Sequence, residues 1–155
     1  MGFFSKTKGS IISDYFKLTD NLGFLTGGNM VNVELYENHL EIKEFKNSVT
    51  LKYSLITDVF YGLETEIVNK NKSVIGRAVA GGLLFGGVGA VVGGISGTGT
   101  KTKKERHFYF IISYKSSAGE DKFIQFEDTR LYKGAKVASE LKKLCNINTS
   151  GQVQL

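Results

Sequence analysis

Apolar and polar positions alternate with a period of two along much of this chain, and where they do the pattern predicts half-buried strands. Val31, Val33 and Leu35 alternate with Asn32, Glu34 and Tyr36, and after Glu37-Asn38 the pattern resumes with Leu40 and Ile42 against Glu41 and Lys43. That is the signature of an antiparallel hairpin. Val49, Leu51 and Tyr53 predict a third strand after a turn at Lys46-Asn47-Ser48, and Ile56 to Val68 predicts one longer strand or two short ones. Phe24-Leu25, ahead of Thr26-Gly27-Gly28-Asn29, reads as a first strand. HFYFIISYK, from His107 to Lys115, is the strongest strand, with Phe108, Phe110, Ile112 and Tyr114 on one face; Phe123, Ile124 and Phe126 mark another after the Ser116-Ser117-Ala118-Gly119 loop.

The period changes twice. Ile11, Ile12, Tyr15, Phe16 and Leu18 have helix-like spacing and predict a short N-terminal helix. Leu131, Ala135, Ala138, Leu141 and Cys145 recur at three- and four-residue steps, with Lys133, Lys136, Glu140, Lys142 and Lys143 around the other side. They predict a closing amphipathic helix whose start Asp128 or Thr129 can cap. The expected fold is therefore mainly β (α+β): an antiparallel bent sheet or barrel of about seven strands, plugged by a C-terminal helix.

One stretch obeys neither pattern. Val74 to Gly97, VIGRAVAGGLLFGGVGAVVGGISG, carries a single charge, Arg77, and nine of the chain's nineteen glycines. Small residues recur at Ala78, Gly82, Gly86, Ala90 and Gly94, and in a second register at Gly89, Gly93 and Gly97. Such columns let helices approach backbone to backbone. A single helix over these residues would be about 36 Å long, enough for a hydrocarbon core of about 30 Å. It would also put the strands on either side of it across a membrane from each other, although they must share a sheet. The stretch is therefore expected to leave and return on one side as a helical hairpin turning near Gly86-Gly87, with arms of about 15 Å.

Charge sharpens that picture. The net charge of the 155 residues is +5. Lys70, Lys72, Arg77, Lys101, Lys103, Lys104 and Arg106 against Glu105 give +6 between Asn69 and Arg106, which leaves −1 for the remainder. A basic collar around an apolar excursion suits an anionic lipid surface, and basic flanks at both ends suit a cytoplasmic side. Nucleic acid is disfavoured, because the aromatics beside the collar alternate as core residues do.

Candidate chemistry is sparse. GGISGTGTKT has two glycines at the spacing of a phosphate-binding loop, but Thr100 stands before Lys101 and a strand follows where that motif needs a helix. His39, His107 and Cys145 lie in separate predicted elements, so no metal site is expected. No carboxylate pair or nucleophile motif suggests catalysis, and no cofactor is expected. Cys145 alone cannot form an internal disulfide. The N-terminus, MGFFSKTKG, has no stretch apolar enough for a signal peptide, which predicts a cytoplasmic location.

The strand order, the closing helix TRLYKGAKVASELKKL and above all KSVIGRAVAGGLLFGGVGAVVGGISGTGTKTKK resemble the bacterial pleckstrin-homology-like proteins with a glycine-rich insert, of Gram-positive bacteria and their prophages. The resemblance covers about Leu22 to Leu144 and implies a fold and a habit of association, with phage exclusion or an envelope or stress response as its setting. The Thr26-Gly27-Gly28-Asn29 loop lacks the basic residues that would grip an inositol phosphate. The expected organisation is an N-terminal segment (1–20), a pleckstrin-homology-like domain (21–146) interrupted by the insert with its basic flanks (70–104), and a flexible tail (147–155). The expected function is a non-enzymatic module. It self-associates, or docks peripherally on the inner face of the cell membrane, through Ala78, Gly82, Gly86, Gly89, Ala90, Gly93, Gly94 and Gly97, with the collar on anionic lipid or a protein partner. The alternative is a soluble adaptor whose hairpin is a structural flap.

Overall fold

In the computed structural model, which describes residues 9–63, 75, 78, 108–130 and 134–147, alternation becomes seven strands. They are β1 (Ile12–Leu18), β2 (Met30–Leu35), β3 (His39–Glu44), β4 (Asn47–Lys52), β5 (Ile56–Leu63), β6 (Phe108–Lys115) and β7 (Asp121–Asp128), followed by the helix α1 (Ala135–Leu144). All adjacent strands run antiparallel in one sheet of order β4-β3-β2-β1-β7-β6-β5. The two edge strands, β4 and β5, are consecutive in the chain and joined by a 3-10 turn, Tyr53–Leu55. The sheet must therefore bend until the end of β4 reaches the start of β5, and Phe16, Phe110 and Phe126 meet inside that bend with ring centroids 5.2 to 5.7 Å apart.

The hairpins follow the sequence closely. Glu37-Asn38 is the two-residue connection between β2 and β3, closed by the Tyr36 N–H donating to the His39 carbonyl. The next turn falls one residue earlier than expected. Glu44 pairs with Asn47, so Phe45-Lys46 is the connection and Asn47 and Ser48 belong to β4.

Two expectations are corrected. The helix expected over Ile11 to Leu18 is instead β1, which lies between β2 and β7 and so places part of the expected N-terminal segment in the middle of the sheet. Its inward positions are Asp14, Phe16 and Leu18, and the charge at Asp14 hid the alternation. Asp14 is tolerated there because Arg130 donates to its carboxylate and to the Tyr15 carbonyl. Phe24-Leu25 is not a strand either. Leu22 and Leu25 form an isolated bridge around Gly23, whose φ of +59° suits glycine, so Leu25 is buried while Phe24 is exposed.

Helix α1 closes the core with Val137, Ala138 and Leu141 buried. The N-cap is Gly134 and no side chain caps the helix, so neither Asp128 nor Thr129 takes the capping role expected of it. Asp128 instead ties down the approach to the helix, its Oδ2 accepting from the Gly134 N–H and the Tyr61 hydroxyl, each at 2.6 Å, and its Oδ1 from the Arg130 N–H at 3.0 Å. At Gly134 a Cβ would lie 2.2 Å from Cε1 of Phe16, so glycine is required by space alone. The helix ends with Asn146 at φ 56°, its N–H donating to the Lys143 carbonyl and that of Ile147 to Lys142, which satisfies the last carbonyls.

Candidate functional site at the root of the glycine-rich insert

Strands β5 and β6 pair antiparallel from Ile56–Tyr114 onward, with one register shift between Ile56 and Asp58, and the last pair is Leu63 with Phe108. The chain between them, which holds the glycine-rich stretch, therefore leaves and re-enters the sheet at neighbouring positions. Cα atoms paired in this way lie about 4.5–5.5 Å apart. The requirement that the excursion return to where it began is thus met by the fold.

The sheet has a second apolar surface at this place. Along β6, Phe110 and Ile112 point into the main core, while Tyr109 and Ile111 point to the opposite face. Tyr109 is 5% and Ile111 0% exposed although they lie on the outside of the bend. Phe60 of β5 and Phe123 of β7 share that face, and the cover is supplied by Ile75 and Ala78. Both are helical, and both are buried, at 1% and 5%. Residues three apart on a helix share a face, so this pair presents one face to the aromatic floor. Of the two, isoleucine at 75 carries the larger apolar side chain into this cluster. Burying such a side chain is worth about 1.5–3 kcal/mol.

Of the residues expected to act in association, the structure thus places Ala78 against the domain's own sheet. Gly82, Gly86, Gly89, Ala90, Gly93, Gly94 and Gly97 lie outside the described residues, as do the collar residues Lys70, Lys72, Arg77, Lys101, Lys103, Lys104 and Arg106. Sequence reasoning missed the aromatic floor. The signal was FYFII itself: a strand apolar on both faces needs cover on both.

Elsewhere, buried charges are engaged in holding strands together. Arg130 bridges Asp14 and Asp128, so these two carboxylates face a guanidinium and not each other. Glu34, 1% exposed, accepts from the Asn32 side-chain amide at 2.9 Å, the Tyr36 hydroxyl at 2.7 Å and Lys43 at 2.7 Å. The hydrogen bond to Glu34 raises the Tyr36 pKa and is the main cause of a higher one at Lys43. Glu44 accepts from the Asn29 side chain and the Thr26 N–H, which lower its pKa and tie the 19–29 loop to the end of β3. His39 stacks on Tyr36 at 4.8 Å and meets Asn38 and Glu41. A cavity of about 570 Å³ lies where β4 meets the end of α1, lined by His39, Thr50, Lys52, Tyr53, Ser54 and Leu144 among others. Among the described residues no group of three His, Cys, Asp or Glu side chains could hold a metal ion, and no helix is long and apolar enough to cross a membrane.

A family model described as a glycine-zipper-containing PH domain matches residues 18–127, from the end of β1 through the insert to β7. No curated protein matches the chain.

Proposed function

Because this chain belongs to the family of glycine-zipper-containing PH domains, we propose that it is a non-enzymatic interaction module that associates through its glycine-rich insert, with copies of itself or with an anionic membrane surface. The observation that carries the proposal is the pairing of Leu63 with Phe108. Both ends of the insert are held at one point of one sheet, so an inserted hairpin enters and leaves a bilayer from the same side. The basic residues Lys70, Lys72, Lys101, Lys103, Lys104 and Arg106 flank both ends. Near an anionic surface each contributes about 1 kcal/mol, and that attraction is screened by salt. Glycine costs a helix roughly 1 kcal/mol relative to alanine. Close packing against another helix offsets that cost, which is what the columns of small residues supply.

A second reading is favoured by Ile75 and Ala78, which pack on Phe60, Tyr109 and Ile111. If the remainder of the insert continues to cover the sheet, it is a structural flap and the protein is an adaptor that binds elsewhere.

Replacing Gly82, Gly86 and Gly94 together by leucine separates the two. Under the leading reading the thermal midpoint holds while the assembly state, or the fraction bound to anionic vesicles, changes. Under the second the midpoint falls and assembly does not change. A native protein that stays monomeric and unbound to anionic vesicles, with and without detergent, defeats the leading reading outright.

A further inference from the structure

Strand β4 is an edge of the sheet, paired on one side alone. The register with β3 is regular from His39–Lys52 to Glu44–Asn47. The Tyr53 N–H donates to the Asn38 carbonyl, so the hydrogen-bonded pairs across this ladder are Asn38–Tyr53, Leu40–Leu51, Ile42–Val49 and Glu44–Asn47. The backbone groups of Ser48, Thr50 and Lys52 therefore point away from β3. Among the described residues they take part in no backbone hydrogen bond outside that ladder. All three residues are exposed, whereas Leu51 beneath them is buried. Natural edges are blunted by proline, a bulge or charge. The chain has no proline, the β3–β4 register carries no bulge, and Lys52 stands at the very end of the strand.

We propose that β4 pairs antiparallel with β4 of a second copy, about a two-fold axis at Thr50. This surface is independent of the insert. The register follows from the three outward residues. With the axis at Thr50, threonine faces threonine, and each Lys52 faces Ser48 of the other copy. No like charges meet, and threonine pairs across strands are favourable. All three positions then exchange both backbone bonds, about six in total. An extended peptide of another protein could add to the same edge, but it would not select this register. The contact is a short one and belongs with small, transient interfaces, so its test is a trap.

The trap uses the full chain with Cys145→Ser and either Thr50→Cys or Ser48→Cys, under mild oxidation. Facing residues in a bonded antiparallel pair have Cα atoms about 5.5 Å apart, within disulfide reach. The two Ser48 positions would lie about 13 Å apart along the strands, out of reach. The expected result is disulfide-linked dimer forming at least tenfold faster from Thr50→Cys than from Ser48→Cys. In the otherwise native chain Thr50→Pro, which removes an N–H that β3 does not use, is expected to keep the β-sheet circular dichroism and to abolish any concentration-dependent dimer that survives loss of insert-mediated assembly. Equal rates from the two cysteines, the outcome if the edge serves a different protein or none, overturn the proposal. So does faster trapping at Ser48. Neither result bears on the insert, whose association is read from the Gly82, Gly86 and Gly94 substitutions.

Discussion

Replacing Ile75 by alanine tests how firmly the root of the insert is docked. Ile75 is 1% exposed and lies with Ala78 on a floor of Phe60, Tyr109 and Ile111. The change removes three carbons, which at about 0.8 kcal/mol each loses about 2.4 kcal/mol of transfer free energy. Rigid aromatic walls on a paired sheet collapse poorly, so a cavity term adds to this, and buried Ile-to-Ala changes cost about 2–5 kcal/mol in all. For a chain of this length each kcal/mol shifts the melting temperature by about 2–4 °C. A drop of at least about 5 °C is expected by calorimetry, with faster amide exchange at Tyr109 and Ile111. Ile75→Val, which removes one carbon, should cost only about 0.5–1.5 kcal/mol. An unchanged melting temperature together with unchanged exchange in β6 would show that the helix at Ile75 does not contribute to the fold.

Gly134→Ala should destabilise the protein by about 1–3 kcal/mol in a denaturant titration, because the new methyl meets Phe16, itself held between Phe110 and Phe126, and because alanine is a poorer N-cap than glycine. Glu44 has its pKa lowered by the Asn29 side chain and the Thr26 N–H. Its stabilisation is therefore present above the unfolded-state value near 4.5 and lost as pH falls through the lower folded value. Glu44→Gln should accordingly flatten the acid limb of a stability-versus-pH curve, and an identical limb refutes the assignment. Cys145 is half-buried with its pKa pushed up to about 11 from 9.0 by desolvation. At pH 8 it should be alkylated about tenfold more slowly than a free thiol, the smaller thiolate fraction being partly offset by the higher nucleophilicity of a more basic thiolate, and urea should restore the rate.

Most of the sheet was legible because its strands bury one face and expose the other. β2, β3 and β4 read correctly from Val31, Val33, Leu40, Ile42 and Leu51, and α1 from Ala138 and Leu141. β1 was not legible. Its inward Asp14 makes sense only beside Arg130, more than a hundred residues later, and a local pattern holds no information about such a partner. The buried Leu25 misled for the opposite reason, since a tight bridge around Gly23 buries one residue with no strand present. At the insert, the sequence implied that the excursion returns, and the Leu63–Phe108 pair agrees. That the root of the insert packs on the outer sheet could not be read from periodicity. Gly76, Ala78, Gly81 and Gly82 look alike as small residues, and only the aromatic run in β6 hinted that one of them has a floor beneath it.

Leu63 and Phe108 hold both ends of the insert at one point of the sheet. Cross-strand nuclear Overhauser contacts between the backbone protons of Leu63 and Phe108, measured in the native protein free and bound to anionic bicelles, test it most directly. These contacts are expected in both states, alongside those of Tyr61 with Phe110. Loss of the Leu63–Phe108 contact on binding, with the remaining β5–β6 contacts intact, would contradict it.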